Sequence, residues 1–572
     1  FGGLNCNFCS NVEGMSSFYS RRVGRAPTGA SLATDSSQFA DVPDATTILG
    51  AGKITGRVAS GFTVGLLDAV TGQANAKVQT STGDRATQEV EPLANYFVGR
   101  LKHDYINGNL VVGGVVSGVA RRIDETFAPR LARHAEMYGN DVYYTWHDHM
   151  YSFRAQGALT NVSGDPREIL LREESSARYF QRPDRGSGSD GFLSNRFDSS
   201  ATALRGAGGY ARVAKETGDW FGEMGLNTRT PGYETNDYAF QQRADYIWYN
   251  ANIGHMWTKP TSWYRSINTI VGGQTQTNYE GDRTQKQLHV YFSETTPQFW
   301  NVSAFLIDRP SVIDDRQLRG GPAIKTPSSR YAELDVSTDS RHAITAFTGL
   351  AYYHDDQGDA APSIYGTISY RPVSNVSVSF GPSWNPSRNY AQYVTAISDS
   401  TATAFHGTRY VVSNLDQRTL GLDTRLNVTF SPAMTLQLYL QPFFASGNYF
   451  NFKEYVAPRT VETAIYGKDR GTISAVKDAG GMITQYTIDP DGAGPGAPFT
   501  IGNPNFSQQS LRGNAVFRWE YRPGSVLYVA WTQSRFADAT FGDLDLARDR
   551  SALLAARPDN IFLVKASWWL TR

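Results

Sequence analysis

Residues 422–430 read Leu-Asp-Thr-Arg-Leu-Asn-Val-Thr-Phe. Leu422, Thr424, Leu426, Val428 and Phe430 fall on one side of an extended chain, and Asp423, Arg425, Asn427 and Thr429 on the other. Successive strand side chains point to opposite faces, so this stretch makes a strand with one apolar and one charged face. The same device recurs along most of the chain. Phe517, Trp519 and Tyr521 oppose Arg518, Glu520 and Arg522. Phe562, Val564, Ala566, Trp568 and Leu570 oppose Lys565 and Ser567. A long series of such strands is what a transmembrane β-barrel with a wet interior requires.

Composition agrees with that reading. The 572 residues carry 54 basic and 54 acidic side chains, so no basic field points to nucleic acid. Aromatics make up 13% and charged residues only 19%. Mean hydropathy is −0.40. No apolar run is long enough for a transmembrane helix. A barrel tolerates a polar average because only alternate residues meet lipid.

Connections alternate in length. Ile-Asn-Gly-Asn (106–109), Ser-Pro-Ala (431–433) and Arg-Pro-Gly (522–524) are tight turns between strands, the first with an Asn-Gly hairpin signal. Between the hairpins lie long polar stretches, among them 71–94, 164–209, 230–243, 309–330, 448–510 and 535–561. Outer-membrane barrels have short periplasmic turns and longer extracellular loops. The expectation is an all-β, large transmembrane antiparallel barrel over residues 48–572. Parity favours an even number of strands, about 20 within a range of about 18 to 22. Residues 1–47 form a preceding segment: a plug, a linker or a first strand, with Ser17–Val23 the candidate strand. Such a lumen leaks unless filled, and the 448–510 loop is the longest candidate filler.

Candidate sites are few. Asp423, Arg425, Arg518, Glu520, Arg522 and Lys565 are expected to face the lumen, as structural ladders that also tune selectivity. Asp489 and Asp491, in Asp-Pro-Asp-Gly-Ala-Gly, resemble part of a calcium loop, without the distal Glu that an EF-hand uses. Cys6 and Cys9 fit a small disulfide of an oxidising compartment. His147-Asp148-His149 reads as a solvated turn. The pairs Glu173-Glu174, Asp314-Asp315 and Asp355-Asp356 read as solvated loop residues. No nucleophile elbow, metalloprotease helix or phosphate loop is present, so no enzyme is expected.

Several stretches resemble a known family: Phe-Tyr-Ser-Arg-Arg-Val-Gly-Arg-Ala-Pro (18–27), Ile-Leu-Gly-Ala-Gly-Lys-Ile-Thr-Gly (48–56), Ala-Arg-Tyr-Phe-Gln-Arg-Pro-Asp (177–184), Asn-Asp (236–237), Leu-Arg-Gly-Gly-Pro (318–322) and Arg-Trp-Glu-Tyr-Arg-Pro-Gly-Ser (518–525). In this order they are similar to the DUF5916 family of bacterial surface proteins. The resemblance implies a signal peptide and a carbohydrate-binding module similar to family 9 ahead of a long β-barrel region, and this chain matches the barrel region. It implies no catalytic residues. The expected function is a plugged or gated transport or export channel in the bacterial outer membrane. The alternatives are a structural or binding component of a surface assembly, and a carbohydrate-binding or carbohydrate-processing surface protein. The expected partners are outer-membrane lipid and an N-terminal module, plug or partner protein. No cofactor is expected beyond calcium.

Overall fold

The computed structural model describes residues 15–35, 37–58, 61–186, 188 and 196–569. Antiparallel strand is the main secondary structure, and among the described residues α-helix is confined to Ala30–Thr34, Pro166–Glu173 and Leu546–Ala555. The chain divides into two compact units, one of residues 1–254, 272–286 and 313–323, the other of 255–271, 287–312 and 324–572. No composition change marks that division.

The first unit is a meander of hairpins. Ile48–Arg57 pairs with Phe62–Thr71, Ala94–Tyr105 with Leu110–Arg121, His134–Trp146 with Tyr151–Ser163, and Ala203–Lys215 with Trp220–Arg229. Each hairpin also pairs with the next. The Asn-Gly turn forms as its sequence demands: Ile106, Asn107 and Gly108 all have positive φ. His147, Asp148 and His149 make an exposed turn with positive φ throughout.

The register shows what this sheet meets on its two faces. Leu66, Gly99, Val116, Tyr138 and Leu159 are directly opposite one another across successive strands. All four large residues of that row are exposed. One residue along, Val98, Ser117, Met137 and Thr160 form the neighbouring row on the other face, and all are buried. Met15, Phe18, Ile169, Phe180, Tyr233 and Tyr238 cover that face in one apolar cluster. Ser117 Oγ donates to the Ser17 carbonyl at 2.6 Å, and the Tyr19 amide to the Tyr238 carbonyl at 2.9 Å. The expected Ser17–Val23 strand is not formed: Ser20–Arg22 is a turn of 3-10 helix lying on the covered face. Its hydrogen bonds go to the 238–239 backbone, so it has no strand partner.

In the second unit the strands lengthen. Val376–Ser398, Thr408–Ser431 and Met434–Tyr455 run 23, 24 and 22 residues. Over 422–429 the exposure alternates as the sequence does, with Asp423, Arg425, Asn427 and Thr429 the exposed set. The 448–510 stretch is not a loose filler. It builds a three-stranded sheet of Thr472–Lys477, Ile483–Asp489 and Phe499–Gly502. Ile488 and Ile501 pack with Val411 and Phe452, at the far ends of the long strands.

Backbone approaches backbone where the 230–239 segment docks. A Cβ on Gly206 would overlap the Tyr233 amide nitrogen, and one on Gly232 would overlap the Arg205 carbonyl. Gly206→Val is expected to destabilise the protein by about 1–3 kcal/mol, the usual cost of overpacking. It should also speed protease cleavage within 230–239, read by peptide mapping of the folded protein.

Candidate functional site

Within the first unit, three of the quoted sequence signatures converge against the covered face of the sheet. The Pro166–Glu173 helix starts where Asp165 caps it, its carboxylate accepting from the Arg167 amide at 2.9 Å, with Pro at the first helical position. Spacing then sets its roles. Ile169 joins the apolar cluster, while Glu168 and Arg172, one turn apart, form an ion pair.

Arg172 reaches on to Asp237 at 2.8 Å and to Glu234 at 3.9 Å. Arg121, at the end of its strand and with a fully buried side chain, donates to Asp237 at 2.7 Å and to the Ala132 carbonyl at 3.0 Å. Arg178 donates to Glu234 at 2.6 Å and to the carbonyls of Arg172, Pro231 and Tyr233. One sheet arginine, one helix arginine and one loop arginine thus hold two loop carboxylates and the backbone between them.

A second cluster adjoins within the same unit. Arg182 holds Asp184 at 3.1 Å and lies 3.6 Å from Glu280, and Arg185 holds Asp245 at 2.8 Å. Asp315 contacts Arg243 at 3.1 Å, Arg316 at 3.6 Å and Arg182 at 3.9 Å, and accepts from Asn278. The Ala323 amide donates to Asp184 at 2.8 Å.

Burial of such charge costs several kcal/mol per ion unless partners are close. The titration directions show which groups are compensated. Burial alone would raise the Asp237 carboxyl, but Arg172 and Arg121 outweigh it and hold it well below the carboxylate range. Arg178 and Arg172 do the same for Glu234, and Arg243, Arg316 and Arg182 for Asp315. Glu168 is raised, because its burial outweighs Arg172. Glu173 is pushed up to about 7 by burial, against the bond that its carboxylate accepts from the Asp198 amide at 3.0 Å.

The arrangement works as a clasp. Its arginines bind carboxylates and main-chain carbonyls, while Arg121 Nε and Nη2 are buried without a hydrogen-bond partner. Among the described residues, no group of three or more His, Cys, Asp or Glu side chains could hold a metal ion.

The sequence-predicted residues lie elsewhere and are not brought together. Asp423 accepts from Tyr439 at 2.6 Å and Gln441 at 3.1 Å, and Arg425 lies over the Tyr439 ring. Arg518 pairs with Glu520 at 2.7 Å, which also accepts from the Gly524 amide of the turn. Arg522 sits opposite Ser525 at that turn, and Lys565 opposite Tyr528 on the last strand. Asp489 accepts from the amides of Asp491 and Gly492, and Asp491 from that of Gly496, so both shape a glycine-rich turn. Cys6 and Cys9 fall outside the described residues.

All three carboxylate pairs depart from the solvated-loop expectation. Glu173 and Asp315 are 3% and 5% exposed. Apart from Arg316, their partners are 25 or more residues away in sequence, so adjacency gave little sign of them. Asp355 is also buried, capping the 355–359 turn through the Gln357 and Asp359 amides. The usable signal was the arginine-rich signature 177–184 itself.

Because Glu173 binds its proton more tightly when folded, the folded state takes up a proton between about pH 4.5 and 7, and local stability falls as pH rises through that window. Hydrogen-exchange protection of the Asp198 amide, corrected for intrinsic rate, is expected to be higher at pH 5 than at pH 8. Glu173→Gln should abolish the difference.

Solved structures similar to this chain include three outer-membrane proteins. An anion-selective porin from Comamonas acidovorans is 11% identical with a TM-score of 0.25, the match covering 58% of this chain and 91% of the porin. The outer membrane transporter YddB from Escherichia coli is 10% identical with a TM-score of 0.38, covering 90% of this chain and 67% of the transporter. The siderophore receptor PirA from Acinetobacter baumannii is 10% identical with a TM-score of 0.33, covering 95% and 89%. No curated protein matches the chain. The DUF5916 family, described as a domain of unknown function, matches residues 14–466, and the chain belongs to that family.

Proposed function

We propose that this chain is an outer-membrane β-barrel obstructed by its own segments, working as a gated transport or export channel. The observation that carries this reading is the sheet of the first unit, apolar on both faces for different reasons. The exposed row of Leu66, Val116, Tyr138 and Leu159 suits a lipid-facing band. In water such a row would be a liability. The opposite face is covered by Met15, Phe18, Ile169, Phe180, Tyr233 and Tyr238, from segments that are not part of the ladder. Covering an interior wall is what a plug does.

Lipid supplies no hydrogen bonds, so no spanning sheet can keep an unpaired edge. Every residue of Ile48–Arg57 is exposed, and so is Asp559–Ser567 up to its last residue. In this reading neither strand is left as a free edge in the membrane. The polar faces carrying Asp423, Arg425, Arg518, Glu520, Arg522 and Lys565 then border the water path.

Planar-bilayer conductance tests the reading. Wild-type protein should be closed for most of the recording. Replacing 165–202 by a short turn should give a steady open conductance. A loop-deleted protein that still folds, shown by heat-modifiable gel migration, yet passes no current would refute the channel.

A second reading, a binding component of a surface assembly, draws on the three-stranded sheet of 472–502 carried on the long strands. A stable complex retained in detergent and lost on deleting 467–504 would favour it.

A further inference from the structure

The segments docked in the first unit are held by two different chemistries. Toward the sheet the hold is mainly apolar, with Ile169, Phe180, Tyr233 and Tyr238 sharing one core with the strands, and the Arg121–Asp237 pair adds one buried ionic bond. Toward the Ile313–Ala323 stretch it is ionic and polar. Arg316 donates to the Ser176 carbonyl, to the Ala177 carbonyl at 2.7 Å and to the Ala244 carbonyl at 3.3 Å. Asp315 gathers Arg243, Arg316 and Arg182, and the Ala323 amide holds Asp184.

The two chemistries respond differently to separation. Exposing the apolar contact loses about 25 cal/mol for each Å² returned to water. Separating buried ion pairs into water restores the hydration that burial removed, and such pairs roughly break even against it. Partial separation is the costly state, because it strands a buried charge. Such a contact tends to be made or broken as a whole, which suits a two-state element. Arg316 fits the same picture: burial, with Arg243 beside it, lowers its pKa to about 9, so this guanidinium sits where charge is poorly solvated.

Resting on the plugged-channel reading, we propose that the Ile313–Ala323 stretch is an ionic latch. Asp315 and Arg316 hold the 176–184 and 243–245 segments shut at one edge, and the gate opens there while its apolar edge stays on the sheet. The latch is a regulatory element of that site, set by interactions whose making and breaking are nearly balanced.

Single-channel recording of the full chain tests it. Asp315→Asn keeps the shape of the side chain and removes the charge that gathers the arginines. Its open probability should rise about tenfold, the effect of losing roughly one charged hydrogen bond from the closed state. The 165–202 deletion gives the ceiling. If the deletion conducts while Asp315→Asn and Arg316→Gln stay as closed as wild type, the latch is wrong and the plug stands. If the deletion does not conduct, both fall. Hydrogen exchange on the wild-type protein needs no variant to fold. Amides of 313–323 and 176–184 should exchange together and faster than those of 233–239, and the reverse order would overturn the latch.

Discussion

The buried bond between Arg121 and Asp237 is the contact on which the rest of the first unit turns. It is a 2.7 Å hydrogen bond between a guanidinium at the end of a sheet strand and a carboxylate in a connecting loop. Neither group could be buried alone at a tolerable cost. Once they are paired, Arg172 must also turn toward Asp237, which orients the Pro166–Glu173 helix so that Ile169 meets the sheet. Glu234 then brings in Arg178, and Arg178 ties down the 231–233 carbonyls. A single compensated charge therefore specifies how more than one loop lies on the wall.

The same constraint explains why the wall is apolar where it is covered. Val98, Ser117, Met137 and Thr160 are small or unbranched enough at their tips to accept a docked segment. Gly206 and Gly232 allow backbone to touch backbone there. Most charged groups of the docked segments pair with one another, while Ser17, Glu234 and Asp237 bond to Ser117, Thr160 and Arg121 of the sheet. Apolar surface and charge are sorted within one unit.

The strands were legible because alternation is a local signal. Leu422–Phe430 and the turns at Asn107-Gly108 and Arg522–Gly524 needed only a few neighbouring residues to be read, and they form as written. The loops were not legible. The Glu173-Glu174 and Asp314-Asp315 pairs looked solvated because the groups that bury them come from distant segments such as 198 and 243. Ser17–Val23 carries a strand-like composition, but the Tyr19 amide bonds to the Tyr238 carbonyl and the Arg22 side chain to that of Ala239, which no local pattern reveals. The six candidate lumen residues were chosen by alternation alone, and alternation says which face a residue takes, not what it meets there. Signatures 177–184, 236–237 and 318–322 marked the right places, since their charges are what the fold gathers.

The long strands of the second unit have a consequence for reach. At about 3.3 Å per residue, the 24 residues of Thr408–Ser431 extend about 80 Å. Crossing a bilayer takes only about 9–11 tilted residues. On the barrel reading proposed above, the remainder of these strands extends past the bilayer. Ile488 and Ile501 seat the small sheet near its tip. On that reading, substitutions there alter what is met first outside the membrane and leave the spanning part untouched.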